Sequence, residues 1–213
     1  YTLSLHDALP ICMVGKLPPA RPILWGWLVL CAAGLGGGGV ARGAVVINEL
    51  VAANSDRQLD RSGAGYPRLG VTAPWFWAEY DDGGWASGSG PFGFGSFSGV
   101  TLGVNTSAAM QNKTPVLYVR KRFTASAGQA ASTSRVELVT RYNDGFIAFL
   151  NGVEVARRNM GNAGMFGYCD QTAFNTNPPA AAAVAIDLGA ASDVLVAGDN
   201  VLCIQTHNKA LTG

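Results

Sequence analysis

Charge is scarce in this sequence. Asp, Glu, Lys and Arg supply 14% of its 213 residues, with 15 basic side chains against 14 acidic ones. A net charge of +1 gives no electrostatic case for nucleic acid or for an anionic membrane surface. Histidine is scarcer still, with two copies, His6 and His207. A His-based triad also needs a nucleophile and an orienting group, and no G-x-S-x-G turn presents a serine. Long apolar runs are missing. The longest, Ile23 to Leu35, falls short of the ~20 residues a membrane-spanning helix needs. No amphipathic helix pattern follows residue 44. What is plentiful is glycine, with 28 copies, together with apolar residues at 48%. That mixture fits an extracellular β protein with many turns.

The chain divides by composition. Residues 1–11 (YTLSLHDALPI) resemble a translated sequencing-adapter read and are set aside as an artefact. Residues 12–43 read as an export signal. Lys16 and Arg21 supply the positive region, Ile23 to Leu35 the apolar core, and Ala41 and Gly43 the small residues before cleavage at Ala44. Cys31 does not make this a lipoprotein signal, because Leu30 precedes it where a small residue is usual. Residues 44–65 read as an opening strand (AVVINELVA) and a polar linker, and residues 66–213 as one sandwich-sized module. The expected location is therefore secreted or cell surface. Export permits a disulfide between Cys169 and Cys203. The simpler reading, and the one preferred, is two unpaired thiols, with Cys203 as a small core residue.

Within the module the strand signals are short and punctuated by turns. Val116 to Thr124 is rich in β-formers. Val136 to Tyr142 alternates, placing Val136, Leu138 and Thr140 on one face. Phe146 to Leu150 and Val153 to Ala156 flank Asn151-Gly152, the strongest short hairpin signal, because both turn residues need φ > 0. Val184 to Leu188 is β-compatible. Val194 to Val196 and Val201 to His207 read as a last hairpin. Pro178-Pro179 and the brevity of the Ala180–Ala183 run argue against a long helix there. In residues 86–99, Phe92, Phe94 and Phe97 alternate among Gly and Ser, so one face of this stretch is expected to tuck against the body. The pattern predicts an all-β, antiparallel β-sandwich.

Several motifs add a resemblance. They are Asp82 with Trp85, YVRKRF (118–123), RYNDGFIAFLNGVEVARRN (141–159) and the closing LVAGDNVLCIQTHN (195–208). Together they resemble galactose-binding-like jelly-roll modules of secreted bacterial proteins and the sugar-binding domain of family-two glycoside hydrolases. AVVINELVAANS (44–55) is similar to the openings of large planctomycete or verrucomicrobial-type secreted proteins that join such modules to lamin-tail-like domains. The resemblance implies a galactose-binding-like jelly roll, binding of a polysaccharide or cell-surface glycan, and other domains in the same longer protein. It also implies one further strand after His207-Asn208, so that residues 44–213 alone would expose a sheet edge and be marginally stable. A weaker resemblance is to protective-antigen-type sugar-binding barrels, whose two adjacent acids hold calcium. Here those positions read Asn143-Asp144-Gly145, with one acid missing, which leaves structural calcium weakly supported and no other cofactor expected.

The candidate ligand-binding residues are Trp75, Trp77, Tyr80, Asn143 and Asp144. Tryptophan faces stack on sugar rings, and Trp75 and Trp77 share one face if the segment is extended. The competing reading of these aromatics is core. No catalytic or metal residues are assigned. Gly88 to Gly93 matches G-x-G-x-x-G by letter but lacks the flanking strand and helix a dinucleotide needs. Asp81-Asp82 precedes Gly83-Gly84 and reads as a turn. Cys203 and His207 lie four residues apart on one strand, about 13 Å, too far to share a zinc ion. His207 reads as a histidine at the end of an outer strand. The expected function is a non-catalytic glycan-binding module. The alternatives are a structural or adhesive spacer, and an accessory domain of a glycoside hydrolase whose catalytic part lies elsewhere.

Overall fold

Val116–Ala125 and Gly198–His207 are long, rich in β-branched and aromatic residues, and pair along their whole lengths. They form the spine of the molecule. The computed structural model describes residues 2–6, 29–30, 74–95, 100–165, 167–178 and 182–212. In chain order its elements are β1 (Thr2–His6), β2 (Val29–Leu30), β3 (Phe92–Gly93), β4 (Val104–Asn105), α1 (Ser107–Met110), β5 (Val116–Ala125), α2 (Ala127–Ala130), β6 (Arg135–Thr140), β7 (Gly145–Leu150), β8 (Val153–Arg158), β9 (Val184–Ala190), α3 (Ala191–Val194) and β10 (Gly198–His207). Each described helix is a single turn. None is long and apolar enough to cross a membrane.

Two four-stranded sheets result, ordered β5-β10-β7-β8 and β2-β1-β6-β9, with a small β3-β4 pair beside them. The first sheet is antiparallel throughout. In the second, β6 pairs antiparallel with β9 and parallel with β1. Residues 2–6, set aside on sequence grounds, therefore lie along β6. One continuous core joins the sheets. Val136, Leu138 and Ile186 of the second sheet pack in the same cluster as Val119, Phe146, Ala148 and Ile204 of the first. The fold is all-β.

The local expectations fare well where turn chemistry is strong. Asn151 and Gly152 take φ of 52° and 87°, as the two-residue hairpin joining β7 to β8 requires. Val136, Leu138 and Thr140 share one buried face. Phe92 and Phe94 are buried, while Phe97 lies outside the described residues. The export signal's basic residues and cleavage site, the strand at 44–52 and the linker at 53–65 also lie outside them.

The last hairpin is corrected. Residues 191–194 form α3 rather than a strand, closed by Leu195 N–H donating to the Ala191 carbonyl (2.9 Å). Val196 is then held by a side chain. Its N–H donates to Asn200 Oδ1, and its carbonyl accepts from Asn200 Nδ2, both at 2.9 Å. With Val196 satisfied locally, β10 pairs with β5 and β7 instead of folding back. His207 is corrected too. It lies in a central strand and is fully buried.

Candidate functional site

The register of the first sheet fixes which side chains share its outer face. Arg120, Cys203 and Phe149 stand in one row, Tyr118, Gln205 and Ile147 in the next, and Val116, His207 and Gly145 in a third. The intervening residues, such as Val119, Ile204 and Ala148, point to the other face, as strand alternation demands, and enter the core. Two loops cover the outer face, residues 74–85 and residues 159–178.

The first cover is a series of turns. Trp77 N–H donates to the Pro74 carbonyl (2.9 Å), and Trp85 N–H to the Asp82 carbonyl (3.0 Å). Asp81 Oδ1 accepts from Gly83 N–H at 3.0 Å, so Asp81-Asp82 does form a turn. Asp82 does more. Its Oδ2 accepts from Arg120 Nε at 2.8 Å. Arg120 is 1% exposed, and its Nη1 also donates to the carbonyls of Trp75 and Trp77. The guanidinium sits over the rings of Tyr80 and Trp85, at 5.2 and 6.0 Å from their centroids. Arg122 Nη2 adds a bond to the Tyr80 carbonyl. A buried arginine needs this many acceptors to offset its lost hydration.

That clamp decides the fate of the aromatics. Trp75 is buried, with its ring edge-on to Tyr118 (4.8 Å) and Phe149 (5.7 Å). Tyr80 and Trp85 are buried beside each other. Trp77 is 46% exposed. The expected shared platform of Trp75 and Trp77 is therefore corrected. The segment turns rather than extends, so residues two apart do not share a face. Trp77 instead rests on the β7–β8 turn. A Cβ at Gly152 would lie 3.1 Å from its Cδ1. The preceding residue, the half-buried Phe76, stacks on the half-buried Phe149 at 4.4 Å and 14°. Phe76 and Phe149 are site residues that sequence reasoning missed. Phe149 carried a signal, since it falls on the outer face of a well-marked hairpin.

The second cover is held by polar groups. Arg157 reaches both oxygens of Glu154 (2.8 and 2.9 Å) and the carbonyls of Met160 (2.7 Å) and Met165. Gly164 N–H donates to Glu154 Oε2 at 3.1 Å. Burial opposes ionisation of Glu154, but the Arg157 hydrogen bonds, the Gly164 N–H and the Arg157 charge outweigh it and hold the carboxyl below its usual range. Gln205 Nε2 donates to the Gly167 carbonyl (2.8 Å). His207 Nδ1 lies 2.7 Å from the Gln171 carbonyl, so that nitrogen carries the proton. Burial pushes His207 down to about 4, and the ring is neutral in the fold.

Asn143 and Asp144 are buried as well. Asp144 accepts from Asn177 N–H (2.9 Å) on one oxygen and from Lys209 N–H (2.7 Å) on the other. Both oxygens thus fasten loops of this chain. Among the described residues of this cover the exposed aromatic is Phe174, at 50%, near Met165. A Cβ at Gly161 would lie 2.8 Å from the Phe174 ring and 3.7 Å from Met165 Sδ.

Cys169 and Cys203 do not form a disulfide with each other. Burial, the dominant cause, pushes the Cys203 thiol up to about 12, so it behaves as a small core residue. Among the described residues no three His, Cys, Asp or Glu side chains gather as a metal site. Comparison with known proteins finds no family model that matches the chain, and no curated protein or solved structure similar to it.

Proposed function

We propose that this chain carries a non-catalytic, glycan-binding module of an exported protein, with the galactose-binding-like jelly roll as its topology. The observation that supports the reading is Trp77. A large aromatic face stands half exposed against the β7–β8 turn, and its chain neighbour Phe76 is anchored by stacking on Phe149. Such a surface is apolar, flat and held in place before any ligand arrives, which lowers the cost of binding. A structural or adhesive spacer is the second reading. It is favoured by Val153 and Val196, both exposed close to the same turn.

Affinity electrophoresis with soluble cellulose, xylan, β-1,3-glucan, pectin and fucoidan tests the first reading. Retardation by at least one of these, lost in Trp77→Ala with folding intact, is the expected result. An unretarded parent chain on the whole panel leaves the spacer reading.

A further inference from the structure

We infer that the ligand is an extended polysaccharide lying along β8, gripped at both ends of that strand, rather than a terminal sugar held at one point. The inference rests on the glycan reading above.

Six large apolar side chains are exposed among the described residues, and two of them are aromatic, Trp77 and Phe174. They occupy opposite ends of one strand. Trp77 leans on Gly152, the residue before β8 begins at Val153. Phe174 leans on Gly161, three residues after β8 ends at Arg158. Each glycine has positive φ, 87° and 78°, and each lacks the Cβ that would push the ring away. The two platforms are built alike.

The backbone behind each ring is fastened. The Trp77 carbonyl accepts from the buried Arg120 at 3.0 Å. Phe174 N–H donates to the Asn159 carbonyl at 2.8 Å, and the Phe174 carbonyl accepts from Lys209 Nζ at 2.9 Å. Neither ring stands on a loose loop.

At ~3.3 Å per residue, β8 separates the two platforms by about 20 Å. That is the length of several linked sugar rings, and far more than one. Between them the strand carries the Glu154–Arg157 pair, in which Glu154 keeps 18% side-chain exposure and Arg157 is covered, at 7%. Ring faces of a chain crossing this stretch would meet Trp77 and Phe174, and its hydroxyl groups would meet the partly open carboxylate of Glu154.

An extended peptide adding to the sheet would also run along an edge strand. The register of β8 against β7 shifts between Ala148 and Phe149. A bulge of this kind breaks the even row of backbone groups that strand addition uses. The observations therefore favour the polysaccharide.

The test measures affinity against chain length. The polysaccharide that retards the full chain is cut to a ladder from disaccharide to octasaccharide, and each size is titrated by calorimetry against the parent, Trp77→Ala and Phe174→Ala. For the longest chains, each substitution is expected to weaken binding about tenfold, the scale of one lost aromatic contact. For the disaccharide, the parent is expected to bind at least tenfold more weakly than it binds the octasaccharide. Equal affinity for all sizes, or a Phe174→Ala variant that binds octasaccharide like the parent, would overturn the inference while leaving the glycan reading intact. Absence of binding by any polysaccharide on the panel would remove both. Capture of an extended peptide that competes with the polysaccharide and depends on both rings would replace the polysaccharide with a peptide.

Discussion

The two loops that cover the outer face of the β5-β10-β7-β8 sheet solve one problem in different ways. Residues 74–85 cover it with aromatic bulk. Trp75, Tyr80 and Trp85 are buried there, and Arg120 takes the carbonyls of Trp75 and Trp77 and the carboxylate of Asp82. The described residues of 159–178 bring little buried bulk. Met160 and Ala173 pack on Ile147 in a small separate cluster, and polar side chains of the sheet do the rest: Arg157, Gln205 and His207 each take a loop carbonyl. Buried apolar area is indifferent to pH, whereas hydrogen bonds from titratable groups are not. The first cover should behave as part of the core, and the second as a separately responsive layer.

The largest effect is expected at Arg120. Replacing it with Met keeps volume but strips Asp82 and the carbonyls of Trp75 and Trp77 of their donor. Removing one partner of a buried pair costs about 3–5 kcal/mol, and Asp82, 26% exposed, recovers part of that by hydration. Arg120→Met should therefore lower the urea midpoint by an amount equal to about 3 kcal/mol. The fluorescence of the buried tryptophans should shift to the red in the same transition. A tryptophan signal that changes well before the rest of the fold would show that the first cover is not part of the core.

Acid should act on the second cover. His207 is neutral when folded, with its pKa lowered from 6.5 to about 4. The unfolded chain binds the proton first, so protonation favours unfolding as pH falls from about 6.5 to about 4. The full shift corresponds to a loss on the order of 3 kcal/mol. Hydrogen exchange at residues 167–171 should speed up across this window, while residues 74–85 keep their protection. His207→Gln, which stays neutral, should flatten the dependence. If both covers loosen together in acid, they are one cooperative unit and the contrast fails.

Gly152 joins the first cover to the hairpin, and a smaller effect is expected there. Valine at φ of +87° is strained, and its Cβ would crowd the Trp77 ring at 3.1 Å. Positive φ for a β-branched residue costs about 1–3 kcal/mol. Gly152→Val should lower the melting temperature and alter the Trp77 emission together. Destabilisation without a change in Trp77 emission would mean the ring does not rest on the turn.

Much of the strand order was legible because turn chemistry is local. Asn151-Gly152 needs no knowledge of the rest of the chain to specify its hairpin. The closing strand was legible for its even run of β-formers, although its partner was misassigned: Asn200 satisfies Val196 through a side chain, which no periodicity reveals. The candidate site was less legible. Trp75 and Trp77 are two apart, and period-two reasoning puts them on one face only if the segment is a strand. It is a set of turns, so one ring is buried and the other exposed. Phe174 gave no signal at all, since its position depends on Asn159 and Gly161, distant in sequence. Arg120 stood in plain view within YVRKRF, but its burial follows from the first cover bringing Asp82 over it.

The smallest effect is expected at Arg157, and it separates the two acid-sensitive groups of the second cover. Arginine's planar fork holds Glu154 through two bonds while reaching the Met160 and Met165 carbonyls. Lysine keeps the charge but cannot make those bonds at once. Glu154 and Arg157 are partly open to solvent, at 18% and 7% side-chain exposure, so screening limits the loss. Arg157→Lys should cost about 1 kcal/mol, seen as faster exchange at residues 160–165 with little change in melting temperature. The pH dependence should change in a defined way. The carboxyl of Glu154 is lowered from 4.5, so it contributes stability above that value which is lost as pH falls through its folded pKa. Arg157→Lys weakens that contribution and should flatten the stability curve below about pH 4.5 only. The slope between about 6.5 and 4.5, which belongs to His207, should stay. A variant that flattens the upper slope instead would place the acid response in the Arg157–Glu154 pair and take it away from the histidine.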